Sequence, residues 1–166
     1  MLLAAPTPLW FSAAINMSMP DIHQLLPHSG PMVLLDRVVV TDDESMCAEV
    51  RIRSDSFFCA DGGVGAWVGL EYMAQTIGAY AGYTAWLRGE PIKIGYLLGT
   101  RCYECRRAVF TVGTLLRIHV KRALRSENGL ASFECRIDDE IGPIASAHVS
   151  VYQPADETQI SEESSA

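Results

Sequence analysis

The 166-residue sequence predicts an α+β fold in which one long, central apolar helix is wrapped by an antiparallel sheet. Three observations predict it. Residues 64–87, VGAWVGLEYMAQTIGAYAGYTAWL, hold a single charge, Glu71, and a helix apolar nearly all round must be covered on every side. Downstream, Leu116, Ile118 and Val120 alternate with Arg117, His119 and Lys121, the period of a half-buried strand. The dipeptide Asn128-Gly129 then marks a hairpin, and Ala131, Phe133, Cys135 and Ile137 alternate with polar residues beyond it.

Taken in order, Pro20-Asp21 opens a short helix over DIHQLL, with a proline and an acid where a first turn tolerates them. Residues 32–41 are rich in Val and Leu and read as a buried strand. Asp42-Asp43-Glu44 form a turn, and residues 46–53 form the partner strand. The long helix opens after Gly62-Gly63-Val64-Gly65 and closes near Arg88-Gly89. Three or four strands complete the chain, the last over residues 144–152. Trp67, Tyr72, Met73 and Tyr80 fall at helical spacing and are assigned to packing. The helix is long enough to span a membrane and holds Gly65/Gly69 and Gly78/Gly82 pairs. Against a span, Glu71 and Gln75 share one face, and the amphipathic strands need a core. Residues 1–19 read as a disordered arm or an upstream start, 20–153 as one domain, and 154–166 as an acidic disordered tail.

Composition sets further bounds. At 49% apolar and a mean hydropathy of +0.13, the chain can bury a substantial core without disulfides. A net charge of −7 argues against nucleic acid as a partner. Seven of the thirteen cations nevertheless lie between Arg101 and Arg125, against one acid, Glu104. Such a strip either receives an acidic partner or solvates strand faces. Five cysteines, an odd set, favour a reduced, cytoplasmic setting. The lone Cys102-Tyr-Glu-Cys105 is structural, since residues three apart on a strand point to opposite faces. Asp36 and Arg37 are expected to form an ion pair.

Two titratable groups stand out. Leu26-Pro27-His28-Ser29-Gly30-Pro31 fixes an imidazole on a stiff turn. Glu71 is a carboxylate on an apolar helix, which is costly unless paired or used. His119 belongs on a solvent face, and His23 and His148 match no motif.

LLPHSGPMVLLDRV resembles the opening of the hotdog-fold 3-hydroxyacyl-acyl-carrier-protein dehydratases. GLEYMAQTIGAYAG resembles that family's central-helix motif, and GYLLGTRCYECRRAVFTVGTLLRIHVKR its strand pair after the helix. The likeness spans about residues 21–152 and is nearest to the dehydratase-like proteins of aryl polyene biosynthesis. Two departures lie before the helix. The segment FFCADGGVG lacks the family's second histidine-rich loop, and Ala66 stands where the family carries a helix-start glycine.

The resemblance implies dehydration of 3-hydroxyacyl chains on acyl carrier protein to trans-2-enoyl thioesters, without cofactor or metal. His28 is the implied base at C2, and Glu71 binds or protonates the leaving hydroxyl. The backbone N–H groups of Gly65 and Ala66 would receive the thioester oxygen, and Gln75 would orient Glu71. Arg106 and Arg107 would sit at the tunnel mouth and meet the acidic carrier protein. Histidine and acid in one site come from different subunits in the family, so a homodimer, or a heterodimer with a related hotdog subunit, is implied. Two alternatives stay open: a non-catalytic partner subunit of a heterodimer, and a hotdog acyl thioesterase.

Overall fold

The computed structural model describes residues 19–154, so the expected arm and tail lie outside it apart from residues 19 and 154. The strands are β1 (Arg37–Thr41), β2 (Ser45–Arg51), β3 (Cys59–Ala60), β4 (Gly63–Gly65), β5 (Tyr96–Cys105), β6 (Val109–Thr111), β7 (Leu115–Arg125), β8 (Leu130–Asp138) and β9 (Pro143–Tyr152). One α-helix, α1 (Gly69–Leu87), lies between β4 and β5. Six strands form one antiparallel sheet in the order β1-β2-β7-β8-β9-β5, and β3-β4-β6 form a small second sheet. The large sheet packs on α1 through β2, β7, β8 and β9. This is the hotdog arrangement the sequence leads one to expect.

Register explains the core. Met46 lies opposite Val120, Ala48 opposite Ile118 and Val50 opposite Leu116, so one face of neighbouring strands is continuously apolar and meets the helix. Local propensity does not hold α1: its interior glycines Gly78 and Gly82 cost about 1 kcal/mol each against alanine. Burial of Tyr72, Met73 and Ile77 contributes on the order of 1.5–3 kcal/mol per side chain and outweighs them. Gly82 is required by contact, because a Cβ there would lie 1.9 Å from the Leu25 carbonyl oxygen. Tyr72, Met73 and Tyr80 pack as expected, but Trp67 is 67% exposed. No helix among the described residues is long and apolar enough to cross a membrane.

Several boundaries differ from the sequence reading. The strand expected over residues 32–41 begins only at Arg37 and is mostly exposed or half-buried. Before it, Gly30–Met32 makes a 3-10 turn, and the Met32 carbonyl and Leu34 N–H bond to a side chain rather than a strand. The first helix is a single 3-10 turn, Ile22–Gln24, closed by a reciprocal Asp21–Gln24 cap. The segment GVG is strand β4, and a 3-10 turn, Ala66–Val68, precedes α1. Five strands rather than three or four follow the helix.

Asp36 and Arg37 do not pair with each other. As strand neighbours they face apart: Arg53 binds Asp36 at 2.8 Å, and Arg37 binds Glu49 at 2.5 Å. His119 is buried rather than solvent-facing, 3.4 Å from Asp138 and 4.0 Å from the Cys47 sulfur. Burial pushes the Cys47 thiol up to about 12, which keeps it protonated and unreactive. Cys102 and Cys105 are free thiols.

Candidate active site

The turn bearing His28 is anchored on both sides. Leu25 and Leu26 are buried against α1 at Gly82 and Gly78, and Pro31 stiffens the 3-10 turn that follows. Gln75, 1% exposed, closes the arrangement. Its Oε1 accepts from the Leu34 N–H at 2.9 Å, and its Nε2 donates to the Met32 carbonyl at 2.7 Å and to Glu71 Oε1 at 3.0 Å. One carboxamide therefore fixes both the histidine turn and the carboxylate.

His28 Nε2 stands 3.7 Å from Glu71 Oε1, and each side chain is 34% exposed. His28 Nδ1 is buried with no hydrogen-bond partner among the described residues, so Nε2 is the nitrogen directed to Glu71. Glu71 is not enclosed in apolar surroundings; it sits in the first turn of α1. The resemblance implied acid and base from two subunits. Here a single chain brings the two together.

The pair borders one end of a cleft of about 660 Å³. Along α1 the cleft is lined by Glu71, Ala74, Gly78, Ala81, Ala85 and Arg88, and Ile77, Phe133, Val151 and Leu97 add apolar wall. Arg122 and Arg125 border it as well. The sequence reading had both in its basic strip but did not single them out. The i, i+3/i+4 spacing from Glu71 to Arg88 was a signal that could have found Arg88.

The other expected site residues lie elsewhere. Ala66 N–H donates to the Ala108 carbonyl at 3.0 Å, and the Tyr103 hydroxyl donates to the Ala66 carbonyl. The Ala66 N–H is thus spent on the sheet and is no donor for a thioester oxygen. Gly65 lies in β4 opposite Val109, away from the cleft. Arg106 and Arg107 border a separate depression of about 290 Å³, where Arg107 binds Asp139 at 3.0 Å. They do not form the mouth of this cleft. Among the described residues no group of three or more His, Cys, Asp or Glu side chains is placed to hold a metal ion.

The ApeP-like family model, described as ApeP dehydratase, matches residues 20–162. The 3-hydroxyacyl-[acyl-carrier-protein] dehydratase FabZ of Bartonella quintana (strain Toulouse) is 30% identical over 135 residues, covering 78% of this chain and 84% of that protein. Among solved structures, the dehydratase heterocomplex ApeI:P from Xenorhabdus doucetiae superposes with a TM-score of 0.82 at 30% identity, covering 89% of this chain and 99% of the other. A hypothetical thioesterase from Streptococcus pneumoniae TIGR4, solved with coenzyme A, reaches a TM-score of 0.56 at 10% identity over 70% of this chain and 84% of its own, a likeness of fold alone. With nearly the whole described domain matched, the chain belongs to the ApeP-like dehydratase family of hotdog proteins.

Proposed function

We propose that this protein dehydrates 3-hydroxyacyl thioesters carried on acyl carrier protein to trans-2-enoyl thioesters, in fatty acid or polyene-type biosynthesis, with His28 and Glu71 as the acid–base pair. The observation that carries this reading is the 3.7 Å approach of His28 Nε2 to Glu71 Oε1 at one end of the cleft. Elimination needs a base at C2 and an acid at the departing oxygen. In the proposed step, neutral His28 takes the C2 proton on Nε2. The freed electron pair forms the C2=C3 bond as the C3–O bond breaks, and the hydroxyl leaves as water with the proton of Glu71. Transfer of one proton from His28 to Glu71 restores the pair. Apo geometry of this kind is often longer than that of the reacting complex.

A dimer completes the reading. Strand β5 is an edge strand bonded only to β9, and it exposes Tyr96, Leu97 and Leu98. Pairing it with a second hotdog subunit would cover an apolar, unpaired edge. Five free cysteines accord with a reduced, cytoplasmic setting.

The test is turnover of a 3-hydroxyacyl carrier-protein substrate by the purified protein, alone and with a related hotdog subunit. His28→Ala and Glu71→Gln should each lose on the order of 10²–10⁴ in rate with folding intact. Near-full activity of a folded His28→Ala would remove His28 from the role of base. A second reading, a non-catalytic partner subunit, is favoured by the pre-helix segment, where Phe57 and Phe58 are exposed and no histidine stands. Activity that needs the partner and is indifferent to both substitutions would select it.

A further inference from the structure

Cations gather at the end of the cleft remote from His28, beside the C-terminus of α1. Arg88, Lys93, Arg122 and Arg125 border it, against two acids, Glu90 and Glu127. Arg88 and Arg125 are exposed and Arg122 is half-buried. Among the described residues, none of these three arginines is ion-paired with a carboxylate. Cations collected without partners repel one another, so negative charge is favoured at this end.

The two strand arginines reach the same place because β7 is irregular. On a plain strand, residues three apart point to opposite faces. The β7–β8 register slips between Arg122 and Leu124, so that Arg122 faces Phe133 but Leu124 faces Ser132. The extra residue resets the alternation, and both Arg122 and Arg125 border the cleft. Arg122 is also held in place, since its Nη1 donates to the Tyr80 hydroxyl at 3.0 Å.

The chain leaves the sheet at this same end. Gln153 and Pro154 border the cleft. The Gln153 N–H donates to the Gly129 carbonyl at 3.0 Å, its Nε2 donates to the Lys93 carbonyl at 3.3 Å, and Pro154 is buried. These contacts fix the point from which the rest of the chain sets out. Residues 155–166 carry four acids, Asp156, Glu157, Glu162 and Glu163, and no base. Asp156 and Glu157 follow Pro154 by two and three residues, a reach of up to about 7 and about 10 Å. So short a tether keeps both carboxylates at this end of the cleft at an effective concentration on the order of millimolar or above.

We infer that Asp156 and Glu157 fold back onto Arg88, Arg122 and Arg125 and seat the segment after Pro154 across this end of the cleft. The acidic partner of these cations is then the chain itself. Exposed ion pairs of this kind are individually weak, of order 0.2–1 kcal/mol, so two or three together hold the segment in place yet release it readily. Whatever enters the cleft from this end must first displace it. The contact does not depend on which reaction His28 and Glu71 perform.

The experiment follows cleavage after Glu157 by a glutamyl endopeptidase in the full chain, with a free peptide of residues 153–162 as the reference for the protease. Wild type is compared with Arg88→Ala/Arg125→Ala and Arg88→Lys/Arg125→Lys, each checked for folding by thermal melt. At about 0.05 M salt the wild type should be cut roughly three- to tenfold more slowly than the alanine variant, the size of two or three exposed ion pairs. The lysine variant, which keeps the charge, should stay protected, and the difference should close near 1 M salt. Equal rates for all three at low salt would overturn the inference. Should the alanine variant fail to fold, Asp156→Asn, which leaves the cleavage site intact, should be cut faster than wild type, and an unchanged rate would reject the contact. Protection that grows with protein concentration would assign the segment to the arginines of a second copy and overturn the fold-back. The covering of the cleft is read from the Kd of a neutral ligand, 3-hydroxydecanoyl-N-acetylcysteamine. Asp156→Asn/Glu157→Gln should bind it several-fold more tightly than wild type, and equal affinities would show that the segment does not cover the cleft. Absence of binding by both forms would count against the dehydratase reading, and the cleavage rates alone then decide the contact.

Discussion

Gln75 and Glu71 are joined at 3.0 Å across one turn of α1, and the same Gln75 side chain grips the segment that follows His28 through Met32 and Leu34. The apolar contact of Leu25 and Leu26 with α1 is thereby joined by a polar grip that sets one register. The polar grip is buried, so its loss leaves unsatisfied groups behind rather than water-exposed ones.

Gln75→Leu is therefore expected to leave the Met32 carbonyl and the Leu34 N–H unpaired, at roughly 1–3 kcal/mol for each buried group. Urea denaturation gives the number, and a variant as stable as the wild type would show that the grip is dispensable. Gln75→Glu sets a second negative charge beside Glu71, which disfavours the ionised form of Glu71. The limb of the pH–rate profile that reports the carboxyl should shift to higher pH.

Gly82 and Gly78 lie one turn apart on α1, and alanine should act on them in opposite ways. At Gly82 the new Cβ meets a backbone oxygen at 1.9 Å, which cannot retreat without moving the His28 turn. A loss of about 1–3 kcal/mol from overpacking is expected, despite the propensity gained. At Gly78 the nearest atom is the tip of the Leu26 side chain at 3.3 Å, so alanine should be tolerated to within about 1 kcal/mol. Thermal melts of both variants compare them directly.

Acid stability should depend on Asp138. Burial pushes its carboxyl up, but hydrogen bonds from His119 and Arg136 together outweigh this and hold it below the ordinary value. The unfolded chain, with the higher pKa of about 3.9, binds protons first as pH falls. The contribution is thus fully present above that pH and is lost as pH drops through the folded-state value. Asp138→Asn should reduce stability at neutral pH and flatten the acid limb of a plot of urea midpoint against pH. An unchanged limb would assign acid sensitivity to other carboxylates.

The large features were legible because they depend on period and sign. The apolar run around Glu71 and the alternation from Leu116 to Val120 lead directly to one helix under a sheet. The Asn128-Gly129 turn falls between β7 and β8 as expected. The tripeptide GVG gave no such sign, because three residues, two of them glycine, carry no readable alternation; only pairing with β6 makes them a strand. His119 misled because alternation assigns a face, whereas burial depends on what lies over that face. Arg106 and Arg107 were chosen by position along the chain. The cations that border the cleft come from a helix end and from a strand whose bulge is invisible to any simple repeat.

A histidine and a carboxylate supplied by one polypeptide are inherited together. Two crippled copies of such a chain, one altered at His28 and the other at Glu71, would not rescue each other on mixing, because no assembly of them restores an intact pair. A pair split across two subunits would allow that rescue in half of its mixed sites. Because the contact at 3.7 Å closes within one molecule, the pair proposed here needs no side chain from a second hotdog subunit.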